Sequence, residues 1–199
     1  MRLVGLSGYA RSGKDEAAKV LVEAGWERIA FADKLRQMLY EINPIIKHER
    51  QFNEVLAHQD EEVVSVFYSD NVVRLQTIID YYGWDGYKST PYGEEIRALL
   101  QRLGTEGGRK TLWDSIWVDA ALNDLKQDGL YVVTDCRFPN EAGAIKDRGG
   151  MVVRITRAGV GPANSHASET SLDDWKFDSF IRNDGSLEEF HDKVRRAFT

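Results

Sequence analysis

The chain has 199 residues, of which 29% are charged and 42% hydrophobic, a composition typical of an ordinary globular domain. Its formal charge of −6 argues against a nucleic-acid polymer as the main partner, although a local group of basic side chains can still hold a small phosphorylated ligand. A single cysteine excludes an internal disulfide, no apolar stretch approaches the length of a membrane span, and residues 1–24 lack the apolar run of a signal peptide. We therefore expect a cytoplasmic protein without membrane partners.

The hydrophobic pattern predicts strands that alternate with helices. The predicted strands are residues 3–6, 28–31, 130–134 and 151–155. The predicted helices are residues 14–24, 33–42 with Asp33 as its cap, 72–82, 93–103 with a stop at Gly104, 114–127, 140–148, and a last helix from Ser186. This alternation predicts an α/β fold with a mainly parallel sheet. Residues 44–69 and 157–180 have weaker periodicity, and we expect them to extend over the site.

The first motif is a glycine-rich turn between the first strand and the first helix. Residues 8–14 match the pattern G-x-x-x-x-G-K, with Gly8 and Gly13 as its glycines and Lys14 as its lysine. Glycines allow successive backbone N–H groups to face phosphate oxygens, and the lysine reaches the β- and γ-phosphates. The alternative is a strand–helix turn that contains glycines and a surface lysine.

The residue after the lysine departs from the general pattern. Asp15 stands where a Ser or Thr hydroxyl normally coordinates Mg²⁺, and a carboxylate can serve the same ion directly or through its waters. Its negative charge beside a triphosphate requires nearby cations, for which Lys14 and Arg11 are the candidates. GTPases and motor ATPases do not carry this aspartate, and the chain has no Asn-Lys-x-Asp motif, so a regulatory switch protein is disfavoured.

A second candidate site follows the apolar run at 130–134. Asp135 ends the predicted strand, where a carboxylate that organises Mg²⁺ is expected beside a phosphate loop, and Arg137 could clamp a phosphate with its planar guanidinium. The alternative is that these two side chains pair only with each other.

A third candidate lies on the predicted helix at 93–103. Arg97 and Gln101 are four residues apart and therefore share one helical face, and Gly104-Thr105 follow at the helix end. Such a group could hold a nucleoside monophosphate. Without further context, the same residues could equally be a solvated face, and the tryptophans at 113 and 117 could both be core residues.

These motifs gain meaning in combination. They are the loop at 8–15 with its aspartate, the block from Arg97 to Thr105, Trp117, the run Asp135-x-Arg137-Phe-Pro-Asn140-Glu141, His166-Ala-Ser168-Glu169, and Arg182-Asn183-Asp-Gly185. Together they resemble the bacteriophage-type deoxynucleoside monophosphate kinases of the P-loop nucleoside monophosphate kinase superfamily. The resemblance implies a P-loop NTPase fold, ATP with Mg²⁺ as phosphoryl donor, a deoxynucleoside monophosphate (dNMP) as acceptor, and a role in supplying DNA precursors.

The resemblance also implies an organisation and a location. One kinase domain would span residues 1–199, with a core at 1–43 and 110–199, a helical acceptor-binding insertion at 44–109 and a lid at 157–174. A protein of this kind encoded by a phage would work in the host cytoplasm, and a homodimer is compatible with the sequence.

Residue roles carry over by motif. The residues expected to be catalytic are Ser12, Lys14, Asp15 (also the metal ligand) and Arg97. Those expected to bind ATP are Gly8, Arg11, Gly13, Lys14, Glu16, Arg157 and Asn183. Those expected to bind the acceptor are Gln101, Gly104, Thr105, Trp117, Asp135, Arg137 and Glu141. Many family members have Thr at position 16, so Glu16 is either a water-mediated metal ligand or a first-turn helix acid.

Two other functions compete with this interpretation. A dephospho-coenzyme A kinase has a similar loop and sheet, but it must activate a ribose hydroxyl, which would make Asp135 or Asp33 a base. A non-catalytic module that senses ATP needs no second nucleotide site, so the candidates between residues 97 and 141 argue against it.

Overall fold

The computed structural model describes residues 1–57, 64–162 and 167–198. Its strands are β1 (Arg2–Ser7), β2 (Glu27–Ile29), β3 (Ile45–Ala57), β4 (Val64–Arg74), β5 (Leu130–Val133), β6 (Met151–Thr156) and β7 (Ser179–Arg182). Its α-helices are α1 (Lys14–Glu23), α2 (Phe31–Ile42), α3 (Leu75–Gly86), α4 (Gly93–Gln101), α5 (Ile116–Leu122), α6 (Pro139–Asp147), α7 (Ala167–Thr170) and α8 (Leu187–Phe198). A 3₁₀ turn at Tyr87–Ser89 precedes α4, and a π-helical segment at Arg102–Lys110 follows it.

The chain divides into two compact units. The first contains Met1–Lys34 and Gly108–Thr199, and the second contains Leu35–Gly107. No helix in the described ranges is long and apolar enough to cross a membrane.

The first unit is built on a five-stranded sheet in the order β2-β5-β1-β6-β7, with every neighbouring pair parallel. Its central strands are buried on both faces, which explains their continuous apolar runs. On one face Leu6, Val132 and Val153 belong to the same core cluster as apolar residues of α1 and α8. On the other face Leu3, Val133 and Val152 belong to a cluster with residues of α5 and α6. The predicted α/β class with a mainly parallel sheet is confirmed.

This topology decides where the candidate residues fall. Because the strands are parallel, their carboxyl ends meet at one edge of the sheet, which is where ligands bind in such folds. The glycine-rich loop follows β1, Asp135 and Arg137 follow β5, Arg157 follows β6 and Asn183 follows β7. Sequence positions up to 175 residues apart are thereby brought to the same edge.

The second unit differs from the helical insertion that the sequence predicted. It contains the antiparallel pair β3–β4, together with α3 and α4, and it has its own core, which includes Leu39, Ile46, Leu75, Ile78 and Ile96. The β-branched and aromatic residues within 64–73 are the strand signal that the weak periodicity obscured. Val72 accordingly lies in β4, and α3 begins only at Leu75.

The expected helix stop at Gly104 is also wrong, because helical turns continue to Lys110. Gly104 is buried, and a Cβ at this position would lie 3.0 Å from Leu35 Cδ2. This glycine is therefore explained by close packing against Leu35, and not by the end of a helix.

Candidate active site at the carboxyl edge of the parallel sheet

The loop after β1 has a backbone that its glycines require. Gly8 and Gly13 adopt φ values of 147° and 107°, and Arg11 also lies in the left-handed region at 66°. A Cβ on Gly8 would strike the carbonyl oxygen of Ile155 and the Oγ of Ser12. The loop is thus folded tightly against the end of β6, with the first turn of α1 directly after it, the arrangement that presents backbone N–H groups to an anion.

Lys14 folds back over this loop. Its Nζ donates to the carbonyl oxygens of Gly8 at 2.6 Å and Tyr9 at 2.9 Å. An ammonium group has three donors, so these two bonds fix its position and leave a third donor for a phosphate oxygen. Burial lowers the pKa of Lys14, and the positive charge of Arg137 acts in the same direction, which places a second cation near the ammonium.

Asn183 holds the other side of the loop. Its Nδ2 donates to the carbonyl oxygen of Ser12 at 3.0 Å, and its own N–H donates to Thr156 at 2.8 Å. Ser12 is only 1% exposed, and its Oγ has no hydrogen-bond partner within the described part of the chain. A buried hydroxyl without a partner is unfavourable unless a ligand satisfies it, so Ser12 remains a candidate for contact with a bound phosphate.

The two acids of the first turn of α1 have different surroundings. Asp15 is exposed, whereas Glu16 accepts from Lys19 Nζ at 3.1 Å and lies 3.0 Å from His191 Nε2. These partners lower the pKa of Glu16, with the Lys19 hydrogen bond as the main cause. Of the two alternatives for Glu16, the contacts favour a helix acid.

Asp15 fits the chemistry of Mg²⁺. The described residues contain no cluster of three or more His, Cys, Asp or Glu side chains that could hold a metal alone. Magnesium usually binds through one or two carboxylates together with substrate phosphates and water, so one exposed carboxylate beside the loop is sufficient.

Asp135 holds the start of α2. Its Oδ1 accepts the N–H of Phe31 at 2.8 Å and its Oδ2 accepts the N–H of Ala32 at 3.0 Å. Burial nevertheless raises its pKa. The expected cap of this helix, Asp33, lies inside its first turn instead and accepts the N–H of Ala30 at 2.9 Å. Two carboxylates thus share the free N–H groups of one helix start.

Glu141 is also committed to protein groups. It is 3% exposed; its Oε2 accepts the N–H of Arg137 at 2.7 Å and of Phe138 at 3.0 Å, and its Oε1 accepts from Arg109 Nη2 at 2.9 Å. Burial raises the pKa of Glu141 to about 7, in spite of these donors. Glu141 therefore supports the turn that carries Arg137. Because its carboxylate is buried, it is not accessible for the predicted contact with the acceptor.

Arg137 itself is available to a ligand. Its side chain is 45% exposed, and its Nη1 donates to Glu169 Oε1 at 3.4 Å. The other carboxylate oxygen of Glu169 is buried and has no hydrogen-bond partner among the described residues. Arg137 is thus held by an acid of α7, whereas both oxygens of Asp135 accept backbone N–H groups. The alternative, in which Asp135 and Arg137 pair only with each other, is wrong.

The lid expected at 157–174 is described only in part, since residues 163–166 lie outside the described ranges. Arg157 is exposed at the end of β6 and lines a cavity of about 280 Å³ that Tyr9 and Ser12 also line. Its proposed contact with ATP phosphates stays a prediction.

The candidates of the second unit lie on one helical face, as their spacing predicts. Arg97 and Gln101 are exposed on α4, while Ile96 is buried in the core of that unit. Thr105 is exposed in the π-helical segment and Gly104 is buried there.

The two tryptophans have opposite surroundings. Trp117 is 6% exposed, and a Cβ on Gly108 would lie 2.7 Å from its ring. Trp113 is 52% exposed, and its Nε1 donates to Asp119 Oδ2 at 3.0 Å. Only Trp117 is therefore a core residue, so the interpretation of both rings as core is wrong. Its burial leaves little indole surface for an acceptor nucleotide.

Sequence reasoning missed Arg154. It is 7% exposed within β6, and its Nη2 donates to Asp173 Oδ1 at 2.8 Å. The sequence signal for it is a charged residue inside the apolar run Val152-Val153-Arg154-Ile155. A cation in a buried strand needs polar or acidic partners from other parts of the chain, so such a residue indicates a buried polar cluster.

Comparisons with known proteins identify the family of this chain. The family model for deoxynucleotide monophosphate kinase matches residues 88–194. A deoxynucleoside-5'-monophosphate kinase of Escherichia phage T5 is 25% identical over 85% of this chain and 84% of its own length. A deoxynucleotide monophosphate kinase of Escherichia phage RB69 is 35% identical over 51% of this chain and 43% of its own length. A protein of Acanthamoeba polyphaga mimivirus is 28% identical over 98% of this chain and 94% of its own length. Because the family model covers more than half of the chain, which also carries the phosphate loop, this protein belongs to the deoxynucleotide monophosphate kinase family.

Proposed function

We propose that this chain transfers the γ-phosphoryl group of ATP to a deoxynucleoside monophosphate and so makes deoxynucleoside diphosphates, the precursors of DNA synthesis. The observation that carries the proposal is the position of the Lys14 ammonium, which is held over the glycine-rich loop. The loop lies at the carboxyl edge of the parallel sheet, and Arg137 follows β5 at the same edge. Family membership supplies the class of acceptor.

The reaction requires little covalent chemistry from the protein. A phosphate oxygen of the acceptor is already a nucleophile, so no general base is needed, and catalysis rests on alignment and neutralisation of charge. Lys14 would bind the donor phosphates, Arg11 would add positive charge at the loop and Arg137 would bind a phosphate at the end of β5. Mg²⁺, when bound with ATP, supplies further charge neutralisation, and Asp15 is the residue that would hold it.

The residues of the second unit enter the proposal through the family resemblance. Arg97 is proposed to stabilise the transferring phosphoryl group, while Gln101 and Thr105 are proposed to bind the acceptor. Their exposure on or directly after one helical face supports this assignment.

The surroundings of two aspartates weigh against a dephospho-coenzyme A kinase. That reaction needs a base for a ribose hydroxyl, and the candidates are Asp135 and Asp33. Both carboxylates accept backbone N–H groups at the start of α2, so both serve there as structural groups. Neither is well placed to exchange a proton with a substrate.

A coupled assay for ADP tests the proposal. Purified protein with ATP and Mg²⁺ is supplied with each of the four dNMPs, the ribonucleoside monophosphates or dephospho-coenzyme A. We expect turnover with at least one dNMP. Turnover of dephospho-coenzyme A alone would replace the proposal, and ATP binding without any turnover would support a sensor module.

A further inference from the structure

Arg154 is a buried cation for which neither the loop motif nor the acceptor motifs provide a role. Its neighbours in β6, Val153 and Ile155, are core residues, and Arg154 itself is only 7% exposed. Burial of a guanidinium group is costly unless its donors and charge are satisfied, so its partners indicate what the residue does.

These partners converge on the phosphate loop. Arg154 donates to Asp173 Oδ1 at 2.8 Å and to Ser7 Oγ at 3.4 Å. Its guanidinium carbon lies 4.5 Å from the centre of the Tyr9 ring and 5.3 Å from that of Phe177. The hydroxyl of Tyr9 donates to the same Asp173 oxygen at 2.8 Å. The ring of Tyr9 is therefore stacked on a cation while its hydroxyl is bonded to that cation's carboxylate partner.

Tyr9 in turn contacts Lys14 through its backbone. Its carbonyl oxygen accepts from Lys14 Nζ at 2.9 Å and from the N–H of Ser12 at 3.2 Å. A displacement of the Tyr9 backbone would therefore also displace the ammonium that its carbonyl holds. A continuous series of contacts thus runs from Arg154 through Tyr9 to Lys14.

We propose that Arg154 is a positioning residue that, with Asp173, clamps Tyr9 and thereby fixes the Lys14 ammonium for the phosphates of ATP. This inference rests on the proposed kinase function. Asp173 lies in the segment between α7 and β7, so the same clamp joins the phosphate loop to the segment that follows α7. A planar guanidinium is required, because an ammonium cannot both stack on Tyr9 and donate in a fixed direction to Asp173.

The test is a double-mutant cycle on ATP binding, measured by calorimetry on the full chain below the melting temperature of every variant. Arg154→Lys keeps the charge and loses the stack, and we expect the Kd of ATP to rise about tenfold, the factor that corresponds to roughly 1.4 kcal/mol. Tyr9→Leu should give a similar rise. The double variant should be no weaker than either single variant, because both changes break one series of contacts.

Two further variants keep the result interpretable. Tyr9→Phe retains the stacked ring and removes only the bond to Asp173, so its Kd should rise less than that of Tyr9→Leu. Arg2→Lys is the matched control: Arg2 stacks on Trp26 at 5.3 Å and donates to a backbone carbonyl at 2.7 Å, but it begins β1, at the opposite end of the sheet from the loop. It should leave the Kd of ATP unchanged.

Two results would overturn the proposed role of Arg154. Losses that multiply in the double variant would mean that Arg154 contacts phosphate independently of Tyr9 and would overturn the proposal. Normal ATP binding by Arg154→Lys with a lower melting temperature would make Arg154 a structural cation only. In steady-state assays the KM for ATP should rise while the KM for the dNMP stays nearly constant. A wild-type protein that binds ATP but phosphorylates no dNMP would refute the proposed function, and the binding cycle would still decide the role of Arg154.

Discussion

Replacement of Asp135 by Asn separates a structural carboxylate from a substrate-binding one. Both oxygens of Asp135 accept N–H groups from the first turn of α2, at 2.8 Å and 3.0 Å. In Asp135→Asn an amide NH₂ takes the place of one oxygen, so one helix N–H faces a donor and loses its partner. We expect the variant to fold but to be clearly less stable than the wild type.

The size of this loss follows from the contacts. A hydrogen bond to a charged group contributes about 1.5–3 kcal/mol, and a buried N–H without a partner costs about 1–3 kcal/mol. Burial raises the pKa of Asp135, so removal of the charge also relieves a desolvation cost and offsets part of the loss. We therefore expect the free energy of unfolding to fall by about 2–3 kcal/mol, or roughly 4–12 °C in melting temperature for a chain of this size.

Circular dichroism melts at pH 7 measure this change, with Asp33→Asn as the control. Asp33 serves the same helix start but its side chain is 40% exposed, so its replacement should cost about 1 kcal/mol or less. An Asp135→Asn protein that melts with the wild type while its KM for the dNMP rises would refute the structural assignment and restore Asp135 as an acceptor ligand.

Three more predictions follow from the site. Burial raises the pKa of Glu141 to about 7 from an ordinary value of 4.5, so its contribution to stability is complete below pH 4.5 and is lost as the pH rises through about 7. Between these pH values the melting temperature of the wild type should therefore fall more steeply than that of Glu141→Gln. Trp117→Ala should cost about 3–5 kcal/mol of unfolding free energy, whereas Trp113→Ala should cost under about 1 kcal/mol, and equal melting temperatures would contradict the burial difference. Asp15→Asn should lower kcat by about 100-fold and raise the Mg²⁺ concentration required for activity. If Glu16→Gln requires more Mg²⁺ than Asp15→Asn, then Glu16 is the metal ligand and Asp15 the helix acid.

Local signals in the sequence were sufficient for most of the sheet and for the loop. Each predicted core strand overlaps an observed strand of the first unit, because apolar runs bounded by turn residues mark strands buried on both faces. The loop was equally readable, since its two glycines and Lys14 lie within one short segment, residues 8–14, and their spacing sets the backbone path. The β3–β4 pair was missed because residues 45–57 have no clear period, and antiparallel pairing depends on a partner strand as well as on local pattern.

The family motifs in the sequence predicted a set of site residues, and the tertiary structure shows which protein groups several of them contact. Asp135 meets the helix start at Phe31, 104 residues away, and Glu141 meets Arg109, 32 residues away. Arg154 appears in the sequence as a charge within a strand, and only the folded chain places it against Tyr9 of the phosphate loop and beside Asp173. The sequence specifies periodicity and turn chemistry, which are local, and so determines the parallel sheet and the loop after β1. The partner of a buried charge depends on the path of the whole chain, and only the folded structure brings the two groups within hydrogen-bonding distance.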